Sequence, residues 1–317
     1  MARTKLESQI RHTRTRKGVL VPLLEDLFKT PVEIESDEDI DWIEGVLRSM
    51  VERGHARTHK PLYSPSQLAG CLRYVYLLKH RSEHGIPFVR STSTSAHFYF
   101  FNGNFLHLKW QFALHKLQLA INDPAVFVLH GVEIPIQSKR KDHGGTVDAL
   151  CSVYGEPTIV DFKGLNVRAF QGITRGTVPV PYAMQLGDYG MLYNSAKGTD
   201  LKISRGLLVS ENKGGPDPKH PLALQETEIE IATWLPQVRS RLKELREYGS
   251  EKEIPPPECH STGIVQFTGC PFRKFCKEEV KAIERKNKLA SRKDAEGLEV
   301  AVPKGRRNHR PRRNSKR

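Results

Sequence analysis

The chain has 317 residues, 38% of them hydrophobic, which suffices for one sizeable core and excludes a fibre or a wholly unfolded chain. Its net charge is +14, yet the excess sits at the ends: residues 1–17 hold six Lys/Arg and one Glu, and residues 301–317 hold eight Lys/Arg and no acid, leaving 36 bases against 35 acids between them. No apolar run reaches the roughly 18 residues of a membrane span, so membrane insertion is not expected. Met1-Ala2-Arg3-Thr4-Lys5 is not followed by an apolar signal segment, and the expectation is a soluble cytoplasmic protein.

The terminal arms, residues 1–17 and 286–317, are expected to be flexible and basic. They can add affinity for a polyanion through counterion release without reading sequence, or serve simply as solubilising tails. Five cysteines in a chain of this type point to metal or structural roles rather than disulfides.

After the first arm, residues 18–60 read as a helical accessory segment, with Glu35-Ser36-Asp37-Glu38-Asp39 entering a helix ahead of Ile40, Trp42-Ile43 and Val46-Leu47. The main domain is expected over residues 61–285. Its first helix is signalled by Ser64 as N-cap, Pro65 in the first turn and Gln67 completing a capping box, and it carries Leu68, Cys71, Leu72, Val75 and Leu78. Gly103 to about Ala120 gives another helix, with Phe105-Leu106, Trp110, Phe112-Ala113-Leu114 and Leu117 as the buried stripe and His107 among them. Strands are expected at about 127–137, 145–153, 157–163 and 202–210, with a helix from about Tyr182 to Ser195 between the last two and another from about Ala232 to Tyr248. That order predicts an α/β fold with a mixed sheet flanked by helices. No internal repeat is visible.

Chemistry concentrates in Gly144-Gly145-Thr146-Val147-Asp148-Ala149-Leu150 and Thr158-Ile159-Val160-Asp161-Phe162-Lys163-Gly164. Asp148 and Asp161 each interrupt a run of β-favouring apolar residues, where a carboxylate is costly unless a cation or a strong donor meets it. A hard divalent metal would do so. Lys163 lies two residues after Asp161 and so on the same strand face, placing an ammonium beside the two acids. Glu133, in Val132-Glu133-Ile134-Pro135, is either a supporting acid on the preceding strand or an exposed strand residue. Cys151 reads as a small buried hydrophobe.

Acid in one strand, about a dozen residues, then acid-x-lysine in the next strand resembles the pattern of the PD-(D/E)XK nucleases. Within that group the chain is similar to RecB-like exonucleases: His107 in Gly103-Asn104-Phe105-Leu106-His107 resembles their motif histidine, and Gln185-Leu186-Gly187-Asp188-Tyr189 matches their Gln-x-x-x-Tyr motif. Cys71 upstream, with Cys259, Cys270 and Cys276 downstream, resembles the split cysteine arrangement of the AddB nuclease domain and of the CRISPR-adaptation exonucleases. Cys259 stands eleven residues before Cys270, where two intervening residues are usual in those relatives.

The resemblance covers about residues 61–280 and implies a restriction-endonuclease-like mixed β-sheet core with a helical N-terminal part, closed by a cysteine-cluster clamp. It implies a metal site of His107, Asp148, Asp161 and the Phe162 backbone carbonyl, holding Mg2+ or Mn2+, with Lys163, Gln185 and Tyr189 completing the catalytic set. Cys71, Cys259, Cys270 and Cys276 would hold a 4Fe-4S cluster, with Zn2+ as the alternative, held by the four thiolates or with His260 in place of one. The implied activity is DNA exonucleolysis leaving 5′-phosphates, on single-stranded DNA or DNA with free ends, in recombination, repair or CRISPR and phage DNA processing, in a bacterial or phage-infected cell. Arg168 and Arg175, in the loop expected after Lys163, and Lys213, after the last strand, are candidate phosphate contacts. No Gly-x-x-x-x-Gly-Lys-Ser/Thr loop is present, so unwinding would require a helicase or recombination partner. A catalytically inactive nucleic-acid-binding protein, or a zinc-stabilised endonuclease, remains the alternative.

Overall fold

The computed structural model describes residues 18–55, 63–88, 94–196, 201–258, 270–279, 281 and 285. The described residues up to Pro271 make one compact unit, and those from Phe272 onward belong to a second. In the second unit, residues 273–279 are helical, with Phe272 and Cys276 buried.

The first unit opens with α1 (Val21–Leu27), whose start is held from far along the chain: the Glu226 carboxylate accepts the backbone N–H groups of Val19, Leu20 and Val21 at 2.8, 2.8 and 2.9 Å. A carboxylate at a helix N-terminus satisfies donors that have no partner within the helix and complements the dipole. In α2 (Asp37–His55) the expected acidic entry is present, and Asp39, fully buried, accepts from the Glu35 N–H at 2.9 Å and from Lys116 at 3.1 Å.

The single helix expected from Ser64 is two helices, α3 (Pro65–Leu68) and α4 (Leu72–His80). Ser64 makes no capping hydrogen bond, and Cys71 is extended at the N-cap position of α4. The break is held from outside: Arg241 donates to the carbonyls of Leu68 and Gly70 and pairs with Glu258, whose carboxylate accepts the Leu72 N–H at 2.9 Å. The following helix, α5 (Thr94–Ala120), begins nine residues earlier than expected, running through Gly103 instead of starting there. One interior glycine costs a helix about 1 kcal/mol, a small penalty across 27 residues.

The sheet contains β1 (Phe127–Gln137), β2 (Gly144–Val153), β3 (Glu156–Leu165), β4 (Arg205–Asn212) and β5 (Leu224–Glu230), in the spatial order β1-β2-β3-β4-β5. It is mixed: β3 and β4 are parallel and the other neighbours antiparallel. The α/β class and the helix-flanked mixed sheet are therefore as expected. The parallel pair requires a crossover, supplied by α6 (Val167–Thr174) and α7 (Val180–Ser195), and α8 (Ile231–Glu251) follows β5.

Two further elements depart from the sequence reading. The segment after Lys163 is helical, not a loop: Asn166 caps α6 by accepting the Ala169 N–H at 2.9 Å, so Arg168 lies on a helix and Arg175 at its C-cap. Strand β5, Leu-Gln-Glu-Thr-Glu-Ile-Glu, is too acidic to read as a sheet strand, yet Leu224, Glu226, Thr227 and Ile229 are buried. Leu20 and Leu24 of the α1 region, Trp110, Leu114 and Leu117 of α5, and Ala149, Cys151, Val160, Phe162 and Leu207 of the strands form one hydrophobic core. Among the described residues no helix is long and apolar enough to cross a membrane.

Candidate active site

Strand pairing brings the acids together. Val132 pairs with Ala149 and Ile134 with Val147, so Glu133 lies across from Asp148; Ala149 pairs with Val160, and the next step of that register sets Asp148 across from Asp161. Three carboxylates thus run in a row over three adjacent strands, an arrangement that repels itself unless cations meet it. The ladder between β2 and β3 stops here, because the Asp148 carboxylate itself accepts the Phe162 N–H at 2.9 Å.

Each acid of the row is met by a different partner. Lys163 Nζ lies 2.8 and 2.7 Å from the two oxygens of Asp161, which is fully buried. His107, from α5, places Nδ1 3.4 Å from Asp148 Oδ1. Gln111, one turn further along α5 and fully buried, donates to Glu133 Oε1 at 2.7 Å and to the Asp148 carbonyl at 2.9 Å, locking β1 against β2. Glu133 has φ of +52°, in the left-handed region that non-glycine residues seldom adopt, three residues beyond a register shift in β1. Such a conformation persists only where its surroundings hold it.

The electrostatics follow from this geometry. Burial and then the neighbouring Asp148 charge push the Asp161 carboxyl up to about 6, even against the Lys163 ammonium. Burial acts the same way on Asp148, but the hydrogen bond and charge of His107, with Lys163 and the Phe162 N–H, outweigh it and hold that carboxyl below its usual value. Burial would lower both Lys163 and His107; the Asp161 and Asp148 charges raise Lys163, and Asp148 raises His107. The site therefore holds one readily ionised acid, one reluctant acid and a firmly charged lysine.

Gln185 and Tyr189 lie buried on α7, with Gln185 Nε2 donating to the Tyr189 hydroxyl at 3.1 Å. Burial and then the charges of Asp161 and Asp148 push the Tyr189 phenol well above its usual value, and its ring borders β2, where a Cβ on Gly145 would stand 3.2 Å from Tyr189 Cε1. The approach of α7 depends on two glycines: a Cβ on Gly187 would stand 2.6 Å from Trp234, and one on Gly190 would stand 2.6 Å from Ile231. Tyr182, also on α7, presents its ring 5.8 Å from Lys163 Nζ.

Of the three candidate phosphate contacts, Lys213 lies against β3: its side chain covers Gly164, where an added Cβ would meet Lys213 Cε at 2.7 Å. Arg168 and Arg175 are exposed on α6. The residue that sequence reasoning underweighted is Glu133. With His107 and Asp148 it forms a set whose ligand atoms all lie within 4.8 Å of one another, while Asp161 is engaged with Lys163. Its one sequence signal was an acid between the apolar residues Val132 and Ile134; Gln111 gave none.

Of the cysteines, Cys71 is buried at the start of α4, and Cys270 lies close enough to act, after burial, on the phenol of Tyr74 in the first turn of that helix. Cys276 belongs to the second unit, and Cys259 and His260 lie outside the described residues. Cys151 is a fully buried core residue, its thiol pushed up to about 12 by burial.

No protein-family model and no curated protein matches the chain. Solved structures do resemble its fold. The crystal structure of SSO0001 matches with a TM-score of 0.40 at 20% identity, covering 74% of this chain and 94% of that one. An alkaline exonuclease from Laribacter hongkongensis, LHK-Exo, matches with a TM-score of 0.38 at 16% identity, covering 62% and 95%, and its complex with dAMP at 0.38 and 17%, covering 62% and 94%. At these scores the likenesses carry nothing about this chain's chemistry, which rests on the site's own geometry.

Proposed function

We propose that this protein is a divalent-metal-dependent DNA exonuclease of the RecB-like PD-(D/E)XK type. The observation that carries the reading is the cross-strand row Glu133, Asp148 and Asp161, with His107 against Asp148 and Lys163 against Asp161. A protein that only binds nucleic acid gains nothing from three acids gathered against a phosphate backbone that is itself negative.

The donor set fits a hard or borderline cation: two carboxylates and an imidazole suit Mg2+ or Mn2+, whose ligands stand about 2.1 Å from the ion and hence no more than about 4.2 Å apart. The ligand atoms of His107, Glu133 and Asp148 lie within 4.8 Å of one another, slightly wider than that span. His107, Glu133 and Asp148 would hold the ion, with Asp161 and the Phe162 carbonyl joining from β3; when bound, it polarises the scissile phosphate and activates water.

The remaining groups act on their own account. Lys163, fixed by Asp161 and kept charged, offsets the negative charge that develops on the phosphorus oxygens. Tyr189 and Gln185 orient the strand beside the row, and Lys213 meets a flanking phosphate. The resemblance adds 5′-phosphate products, DNA with free ends or single strands as substrate, a separate helicase or recombination partner, a place in repair, recombination, CRISPR or phage DNA processing, and a cytoplasmic setting.

The split cysteine pattern supports a cysteine-bound group of Cys71, Cys259, Cys270 and Cys276, of which Cys71 is buried at the N-cap of α4. A 4Fe-4S cluster is the proposed occupant. Anaerobically purified protein should then be brown with absorbance near about 400 nm, whereas a colourless protein carrying stoichiometric zinc would favour the zinc-stabilised form.

The decisive test is digestion of end-labelled linear and covalently closed circular DNA with Mn2+, Mg2+ or EDTA, comparing wild type with Asp161→Ala. Metal-dependent loss of linear DNA by wild type alone supports the reading. Binding without cleavage by both proteins would refute it in favour of a binding protein, and cleavage of the closed circle would favour an endonuclease.

A further inference from the structure

Away from the carboxylate row, the β1–β2 turn and the facing parts of α7 and α8 enclose a cleft of about 650 Å³. Its lining is strongly cationic: Arg140 on the turn and Arg239, Lys243 and Arg246 on α8, with Glu247 the single acid among the described lining residues, 3.7 Å from Lys243. Arg246 is committed to the framework, since it pairs with Asp142 of the turn at 2.9 and 3.2 Å, and Ser138 donates to the same carboxylate at 2.8 Å. Arg140 and Arg239 are exposed at the rim and have no carboxylate partner among the described residues.

The second observation lies at the floor. His143 lines the cleft with a side chain only 1% exposed, and its Nε2 lies 2.7 Å from Asp188 Oδ2, itself fully buried. Its other ring nitrogen, Nδ1, is buried with no hydrogen-bond partner among the described residues. The pairing with Asp188 fixes this imidazole at the floor, beneath the guanidinium groups. Guanidinium forks gathered on one concave surface describe a receptor for a compact multivalent oxyanion.

We propose that this cleft binds a phosphate group through Arg140 and Arg239, with Lys243 adding charge at the rim. The phosphate could belong to a nucleic-acid strand leaving the catalytic face or to a free monoester such as a nucleotide. The chemistry is shared, and the inference does not rest on the nuclease reading.

The test uses the full chain in EDTA, so that no cleavage intervenes. Calorimetric titration with inorganic phosphate compares wild type with Arg140→Ala and Arg239→Ala, surface changes that leave the framework intact. The expected result is saturable binding by wild type, weakened about tenfold or more by each substitution. No binding by wild type, or binding undiminished in both arginine variants, would overturn the proposal. A second arm measures binding of a fluorescent single-stranded oligonucleotide against salt. If the strand's own phosphate occupies the cleft, Arg239→Ala lowers the slope of log K against log salt by about one contact; if oligonucleotide binding is unmoved while phosphate binding is lost, the ligand is a free monoester.

Discussion

Replacing Glu133 with Gln should move the metal-free and metal-loaded protein in opposite directions. Glu133 lies across from Asp148 with ligand atoms within 4.8 Å, and two unit charges at that separation repel by about 3 kcal/mol at an effective dielectric of about 20. His107 and Lys163 already offset part of this, and the 2.7 Å hydrogen bond from Gln111 loses about 1 kcal/mol when its acceptor becomes neutral. The net effect in EDTA is a stabilisation of about 1 kcal/mol, or about 2 °C in Tm for a chain of this size. With Mn2+ the order reverses. Loss of one of two carboxylates closing on His107 should weaken the ion about 100-fold, so at concentrations saturating for both proteins the variant gains about 2.7 kcal/mol less than wild type. Calorimetric melting in EDTA and across a Mn2+ titration reads both effects. Equal Mn2+-induced shifts in the two proteins would refute the assignment of Glu133 to the cation.

Four further outcomes are expected. The Asp161 carboxyl, raised to about 6, favours the folded metal-free protein when protonated, so its contribution is full below about pH 4 and disappears as pH rises through about 6; Asp161→Asn should flatten the stability profile over that window, and an unchanged profile would contradict the raised value. Removing the Glu226 carboxylate that three backbone N–H groups share, as in Glu226→Ala, should cost about 2–4 kcal/mol in urea unfolding, whereas a loss under 0.5 kcal/mol would show that water replaces it easily. Gly190→Ala forces a Cβ to within 2.6 Å of Ile231 and should cost about 1–3 kcal/mol while lowering cleavage, because α7 carries Gln185 and Tyr189; full activity would show that these two residues need no fixed position. Cys270→Ala should lower the melting temperature and abolish absorbance near about 400 nm, and identical spectra would exclude Cys270 from the cysteine-bound group.

The sequence by itself determined what depends on short-range pairing. Val153 pairs with Glu156 across the Tyr154-Gly155 turn, both of whose residues have positive φ, so β2 and β3 form a hairpin that any reading of two apolar runs around a tight turn brings together. The neighbourhood of Asp148, Asp161 and Lys163 follows from that hairpin and from the two-residue period of a strand. The long helices α5, α7 and α8 are legible for a similar reason, since their apolar spacing is local, although their ends are not.

Only the tertiary structure decided the parts fixed by contacts between distant segments. Whether the acid at 133 points at solvent or at Asp148 depends on the strand register and on Gln111 of α5, and neither is written near Glu133. Strand β5 looks too acidic to be buried until the α1 N–H groups, 205 to 207 residues away, are there to satisfy Glu226. The break between α3 and α4 needs Arg241 and Glu258, and the close seat of α7 needs Trp234 and Ile231 over its glycines. In each case a residue's polarity or size gives the wrong sign by itself, because the cost of burying a charge or omitting a side chain is set by the partner that meets it.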